Sequence, residues 1–147
     1  AEGSRLKLEM TEGLLLADVE DTIGKMSTLR SYGVGFSLDD FGTGYSSLAY
    51  LNRLPINNIK LDRSFVVGLN LPVIRATAAM ATNLGLGIMA EGVEEPHELA
   101  ALQTQGCHVF QGYLFSKPLT VAQVEASGFV VECQVGRYPL LNAVMVE

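Results

Sequence analysis

Five short strand-like runs in this chain each end in a polar residue suited to metal binding or acid-base chemistry, and helical patterns separate them. The runs are LKLE ending at Glu9, VGFSLDD ending at Asp39-Asp40, NIK ending at Lys60, GIMAE ending at Glu91 and HVFQ ending at Gln111. The steps are 30 residues from Glu9 to Asp39, 21 to Lys60, 31 to Glu91 and 20 to Gln111. Each step fits a strand, a helix and two turns. Repeated β-α alternation predicts an α/β chain with a parallel sheet and right-handed crossovers. In such a sheet the carboxyl ends of the strands open onto one face, where ligand and catalytic groups collect. Four carboxylates, a lysine and an amide at that face describe a site for hard divalent cations and a phosphate ester.

Between the runs, Val19, Ile23, Met26 and Leu29 keep one apolar stripe in a helix predicted over 14–31, stopped by Gly33. The strand Val34 to Leu38 leads into the glycine- and hydroxyl-rich loop FGTGYSS. A short helix from about Ser47 carries Leu48, Leu51 and Leu54 and ends before Pro55. After the strand at Ile59 to Leu61, a stripe of Val73, Ile74, Thr77, Met80, Ala81 and Leu84 runs to Gly85. Leu86 to Ala90 reads as a strand. Pro96 opens a helix that Gly106 closes, and Val109-Phe110 form the last clear strand. Thr120 and Gln123 match a capping box. Phe129 to Cys133 and Ala143 to Val146 are further strand candidates with no assigned place.

A length of 147 residues and 48% apolar content suit one domain with an ample core. The net charge of −6 and the scattered lysines and arginines argue against a DNA or RNA polymer as partner. No apolar run approaches the ~20 residues of a membrane span. No signal peptide opens the chain, although Ala1 need not be the native start. Cys107 and Cys133 do not make a disulfide framework, and Cys107 reads as a small buried residue. A reducing, cytoplasmic setting is the expectation, or the cytoplasmic face of a membrane reached through an upstream domain.

Asp39-Asp40 is the strongest local signal. In a regular strand the two side chains point to opposite faces. Where the backbone turns at a strand end, both can reach a metal pair, one bridging and one binding the second ion. The competing reading is a turn in which Asp caps a helix. Glu9 reads as a ligand or as an exposed edge charge. Glu91 follows Leu86, Ile88 and Ala90, where a carboxylate is costly unless paired or metal-bound. Glu94 could tie an adjoining loop through hydrogen bonds, or serve as an ordinary charge at a helix start. Lys60 could hold a water nucleophile or offset phosphate charge, or it could simply pair with Asp62. Gln111 reads as a substrate contact or as a loop hydrogen bond. His97 and His108 lack zinc spacing, and the Gly-Thr-Gly loop matches neither a P-loop nor a dinucleotide fingerprint.

The segments LEMTE, DDFGTGYSSL, LPINNIKLDRSFV, AEGVE and FQGYLFSKPL, in this order, resemble the EAL domain family of bacterial cyclic di-GMP phosphodiesterases. The resemblance covers about Leu6 to Gln123. It implies a TIM-like (β/α)8 barrel, of which this chain supplies about the last five β-α units. It also implies two Mg²⁺ or Mn²⁺ ions and hydrolysis of cyclic di-GMP to linear pGpG. By resemblance, Glu9 is a ligand of the first metal, Asp39 the bridging ligand, Asp40 a ligand of the second metal and Glu91 a further ligand with a place in catalysis. Lys60 resembles the lysine that contacts the nucleophilic water, and Gln111 the family's active-site glutamine. Phe41, Gly42, Thr43 and Gly44 resemble the loop that couples metal binding to dimerisation, with Glu94 steadying it. Pro118 falls in the matching substrate-side segment. A homodimer and an upstream sensory or GGDEF domain are the implied partners.

The chain departs from the family pattern in two places. The Glu-Ala-Leu motif and the asparagine of the strand before Glu9 are absent. A TIM barrel runs to ~250 residues, so residues 1–147 are expected to be an EAL-type domain without its N-terminal strands. Such a piece is expected to be inactive alone. The step from Lys60 to Glu91 is also about five residues shorter than the family pattern near Gly68 to Pro72, by deletion or by an omitted loop. Two functions fit: an active phosphodiesterase in the parent protein, or a catalytically inactive module that binds cyclic di-GMP or a partner. The residues upstream of Ala1 discriminate between them.

Overall fold

A computed structural model describes residues 6–11, 13, 18–42 and 48–126. Five parallel strands form one sheet: β1 (Lys7–Thr11), β2 (Gly35–Phe41), β3 (Asn58–Leu61), β4 (Gly87–Ala90) and β5 (Val109–Phe110). Their order in space is their order in sequence, and every neighbouring pair is parallel. A doubly wound sheet reverses its order at a switch point. This sheet never reverses, so its crossovers keep one sense, as in a segment of a (β/α)8 barrel.

The intervening helices are α1 (Val19–Ser31), α2 (Leu48–Leu51), α3 (Arg63–Val67), α4 (Leu71–Asn83), α5 (Pro96–Thr104) and α6 (Val121–Ala126). Local chemistry sets their starts. Asp18 caps α1 by accepting from the Asp21 amide at 3.0 Å, and Asp62 caps α3 by accepting from the Ser64 amide at 2.9 Å. The expected box at α6 is present, with the Thr120 amide donating to Gln123 at 2.8 Å. At α5, Glu95 before the helix and Glu98 in its first turn form a capping box that spans Pro96.

The core lies where α4 packs against β3 and β4. Ile59, Leu61, Ile74, Ala81 and Ala90 are wholly buried, joined by Val66 from α3 and Leu102 from α5. Truncating one large aliphatic there to alanine costs about 2–5 kcal/mol. Among the described residues β1 stands at the other end of the sheet, with Leu6 and Leu8 exposed.

The sequence reading anticipated every strand but missed α3. Near Gly68 to Pro72, where the step from Lys60 to Glu91 is shortened, the chain makes a hydrogen-bonded turn. The Leu69 amide donates to Val66 at 2.9 Å and the Asn70 amide to Phe65 at 3.0 Å, so α4 follows α3 directly. Leu69 takes a φ of 42° to close it. The anticipated strands beyond Ser127 lie outside the described residues, as does Cys133. Cys107 is buried as expected, and burial pushes its thiol up to about 11.

Candidate functional site

Four of the five strand ends meet at Lys60. Its neighbours in β3, Ile59 and Leu61, are fully buried, and strand alternation puts Lys60 on the opposite face. The Lys60 side chain is itself only 3% exposed. A buried ammonium is tolerated only when paired, and here three carboxylates surround it. Lys60 Nζ lies 2.7 Å from Glu9 Oε2 at β1, 3.2 Å from Asp39 Oδ1 on β2 and 2.6 Å from Glu91 Oε1 just after β4. Burial alone would lower the lysine pKa. The hydrogen bonds to Glu9 and Glu91 and the charge of Asp39 together outweigh it, and the ammonium is held well above its ordinary value. Glu91 is pushed up, chiefly by burial and further by Asp39 and Glu9, while Lys60 opposes the rise. Three carboxylates against one ammonium leave two formal negative charges in excess.

Asp62, the alternative partner for Lys60, faces elsewhere: its carboxylate accepts from the Ser64 amide and hydroxyl, and the hydroxyl bond lowers its pKa.

The Asp39-Asp40 pair sits on a β-bulge. From Leu38 to Phe41, β2 advances three residues while β3 advances two, from Ile59 to Leu61. The extra residue breaks the alternation that would send adjacent side chains to opposite faces. Asp40 takes a φ of 53°, a left-handed conformation that Asp tolerates better than most residues. Its amide donates to Asp39 Oδ1 at 3.0 Å. Thus β2 runs through the pair to Phe41, one residue past the end expected of the VGFSLDD run. Asp39 is part of the lysine cluster; Asp40, the next residue, is exposed. Phe41 is buried and Gly42 is exposed, with a φ of 92°. Thr43 and Gly44 lie outside the described residues.

Gln111 follows β5. Its amide donates to the Ala90 carbonyl at 2.9 Å, and its carbonyl accepts from Val93 at 3.0 Å, so its backbone is locked to the loop that carries Glu91. Pro118 is exposed in the segment leading to α6. His97 and His108 are both exposed and outside the cluster.

Glu94 pairs with Arg63 at 2.7 Å, joining the loop after β4 to the start of α3. Sequence reading missed Arg63 in this role, and it missed Glu98. Glu98 is a buried carboxylate that accepts from the Glu94 and Glu95 amides at 2.8 and 3.0 Å. Its only signal was its place three residues after Glu95, as in a capping box.

The carboxylates gathered here, Glu9, Asp39 and Glu91, offer hard oxygens, the chemistry that could hold Mg²⁺ or Mn²⁺, and Asp40 adds a further carboxylate next to Asp39. Among the described residues, no three acidic, histidine or cysteine side chains are spaced as a ready-made metal cage. The carboxylates converge on the lysine nitrogen instead.

Known proteins show the same combination of sequence and fold. The model of the EAL domain matches residues 1–118. The cyclic di-GMP phosphodiesterase NbdA of Pseudomonas aeruginosa is 48% identical over 125 residues, which are 82% of this chain and 16% of that protein. The solved structure described as "PaMucR Phosphodiesterase, c-di-GMP complex" superposes with a TM-score of 0.80 at 40% identity, covering 84% of this chain and 52% of that one. The manganese and cyclic di-GMP complex of Klebsiella pneumoniae BlrP1 superposes at 0.73 with 31% identity, over 80% of this chain and 31% of that one. The chain therefore spans about half of the MucR structure and a sixth of NbdA. No described helix is long and apolar enough to cross a membrane. With a family model covering most of its length, and relatives similar in both sequence and fold, the chain belongs to the EAL domain family.

Proposed function

We propose that the full protein carrying this chain hydrolyses one phosphodiester bond of cyclic di-GMP, giving linear pGpG, with two Mg²⁺ or Mn²⁺ ions at the strand-end face. The observation that carries this reading is the convergence of Glu9, Asp39 and Glu91 on buried Lys60 at the carboxyl ends of parallel strands. Relatives named as cyclic di-GMP phosphodiesterases, and structures holding that ligand, support the choice of substrate.

In this account Glu9 would serve the first ion, Asp40 the second, Asp39 both, and Glu91 would be a further ligand. Divalent cations there would lower the pKa of a bound water and offset charge on the phosphoryl oxygens. Lys60 provides an ammonium within the carboxylate cluster to orient that water. Gln111, fixed to the Glu91 loop through its backbone, contacts substrate. Phe41 to Gly44 and Pro118 border the substrate, and the 41–44 loop couples the site to a second copy in a homodimer. An upstream sensory or GGDEF domain supplies the input. Incubating the full protein with cyclic di-GMP and Mn²⁺ should yield pGpG, and EDTA should stop it. Binding without turnover would instead favour an inactive, ligand-sensing module.

Glu94→Ala should act indirectly. The Arg63–Glu94 pair is largely exposed, so its loss shifts loop populations by only about 0.2–1 kcal/mol. At low Mg²⁺ the rate should fall up to about fivefold, and high Mg²⁺ should restore much of it, because bound ligand favours the competent loop. Glu91→Ala, which removes a ligand, should not recover to the same degree. Rate measured against Mg²⁺ concentration compares the two; identical responses would show that Glu94 is not indirect.

A further inference from the structure

We propose that Lys60 is an internal counter-ion that competes with divalent cations for Glu9, Asp39 and Glu91, so that metal uptake requires its ammonium to release at least one of them. This rests on reading the face as a metal site.

An ammonium has three donors, and three carboxylates lie within 3.2 Å of it. Its hydrogen bonds to Glu9 and Glu91 and its ion pair with Asp39 are therefore spent on the very groups assigned to the metal. Lys60 is 3% exposed, so it cannot exchange those partners for water where it stands. Mg²⁺ binds its oxygens at ~2.0–2.1 Å and draws on the same lone pairs. A monovalent and a divalent cation sharing one set of oxygens also repel each other strongly in a half-buried site. The excess of two negative charges still draws a dication in, but only with rearrangement of the lysine. A lysine that withdraws from one carboxylate stays beside the site, where it can meet a water or a phosphoryl oxygen.

The opposing effect is that Lys60 also gathers the carboxylates. Without it they repel. Their backbones, however, are set by the sheet: Glu9 is paired with Ser37, Asp39 with Thr11, and the Glu91 amide donates to the Leu61 carbonyl at 3.1 Å. Loss of the competing charge should therefore outweigh loss of the gathering.

The test is isothermal titration of the full protein with Mn²⁺ alone, for wild type, Lys60→Met, Lys60→Gln and Lys60→Arg. The neutral variants should bind Mn²⁺ about tenfold or more tightly, a difference of about 1.4 kcal/mol. Lys60→Arg keeps the charge and should not gain. The Mn²⁺-induced rise in thermal midpoint should likewise be larger for Lys60→Met than for wild type. Lys60→Gln retains a donor to the carboxylates and serves if Lys60→Met does not fold. A purely structural lysine predicts weaker binding in every variant, the opposite sign. Equal or weaker binding by a folded neutral variant overturns the proposal and leaves the metal site standing. No Mn²⁺ binding by any folded form, wild type included, overturns the metal site and the proposal with it.

Discussion

Asp39→Asn in the full protein should abolish cyclic di-GMP hydrolysis more completely than Lys60→Ala. In the proposed site Asp39 bridges the two ions, so loss of its charge disperses the pair itself. Lys60 only orients or polarises the water, an effect of ~10²–10⁴ for acid-base roles. The substitution is also a clean one. Asp39 Oδ1 accepts from the Asp40 amide at 3.0 Å, and an asparagine oxygen can keep that bond across the bulge. Asp39 is one of three carboxylates on Lys60, so the lysine retains Glu9 and Glu91. Folding should therefore survive where catalysis does not. Steady-state rates at saturating Mn²⁺, with metal content measured alongside, check the order. Equal residual rates with two ions still bound to Asp39→Asn would remove the bridging role.

Gly112→Ala should be the most damaging small substitution near the site. A Cβ at Gly112 would overlap the Val93 carbonyl oxygen, amide nitrogen and carbonyl carbon. These are backbone atoms, which cannot swing aside as a flexible side chain can. Gly112 does not have a positive φ, so the requirement here is close approach of two chains and not an unusual backbone angle. The contact is stitched on both sides: Val93 donates to the Gln111 carbonyl at 3.0 Å, and Leu114 donates to the Val93 carbonyl at 3.0 Å. Relief of the clash must pull this stitch apart and move both Gln111 and the loop after Glu91. The expected cost is about 3 kcal/mol, at the upper end for overpacking, with a matching fall in turnover. Urea unfolding of the variant measures it. A loss under ~0.5 kcal/mol, the range of ordinary surface changes, would show that the two loops separate freely.

Much of this was legible in the sequence because strands and their polar ends repeat. A strand such as Gly87–Ala90 is announced by apolar residues followed at once by a carboxylate, and that pattern needs no knowledge of tertiary contacts. The broader form of the rule, a polar residue closing an apolar run, located the strands at Glu9, Asp39, Lys60 and Gln111. Helix α3 was missed because RSFVV is too short to show a helical period. The bulge at Asp40 was not legible either, since it depends on β2 advancing against β3, a property of two strands together. Local reasoning offered Asp62 as a partner for Lys60 because it lies two residues away. The actual partners, Glu9, Asp39 and Glu91, are brought in by neighbouring strands and a turn from 51, 21 and 31 positions away. Glu98 looked like any charge in a first helical turn; its burial against two amides exists only once α5 is docked.

The central claim is that these strand-end carboxylates form a two-metal site for a cyclic dinucleotide phosphodiester. Crystals of the full protein grown with Mn²⁺ and cyclic di-GMP, with diffraction recorded at the manganese edge, test it most directly. The account predicts two anomalous peaks, one within bonding distance of Glu9 and one against Asp40, with Asp39 touching both, Glu91 bound to one of them and Lys60 withdrawn from at least one carboxylate. Manganese bound elsewhere, or Lys60 still held by all three carboxylates with cyclic di-GMP at the same face, would contradict it.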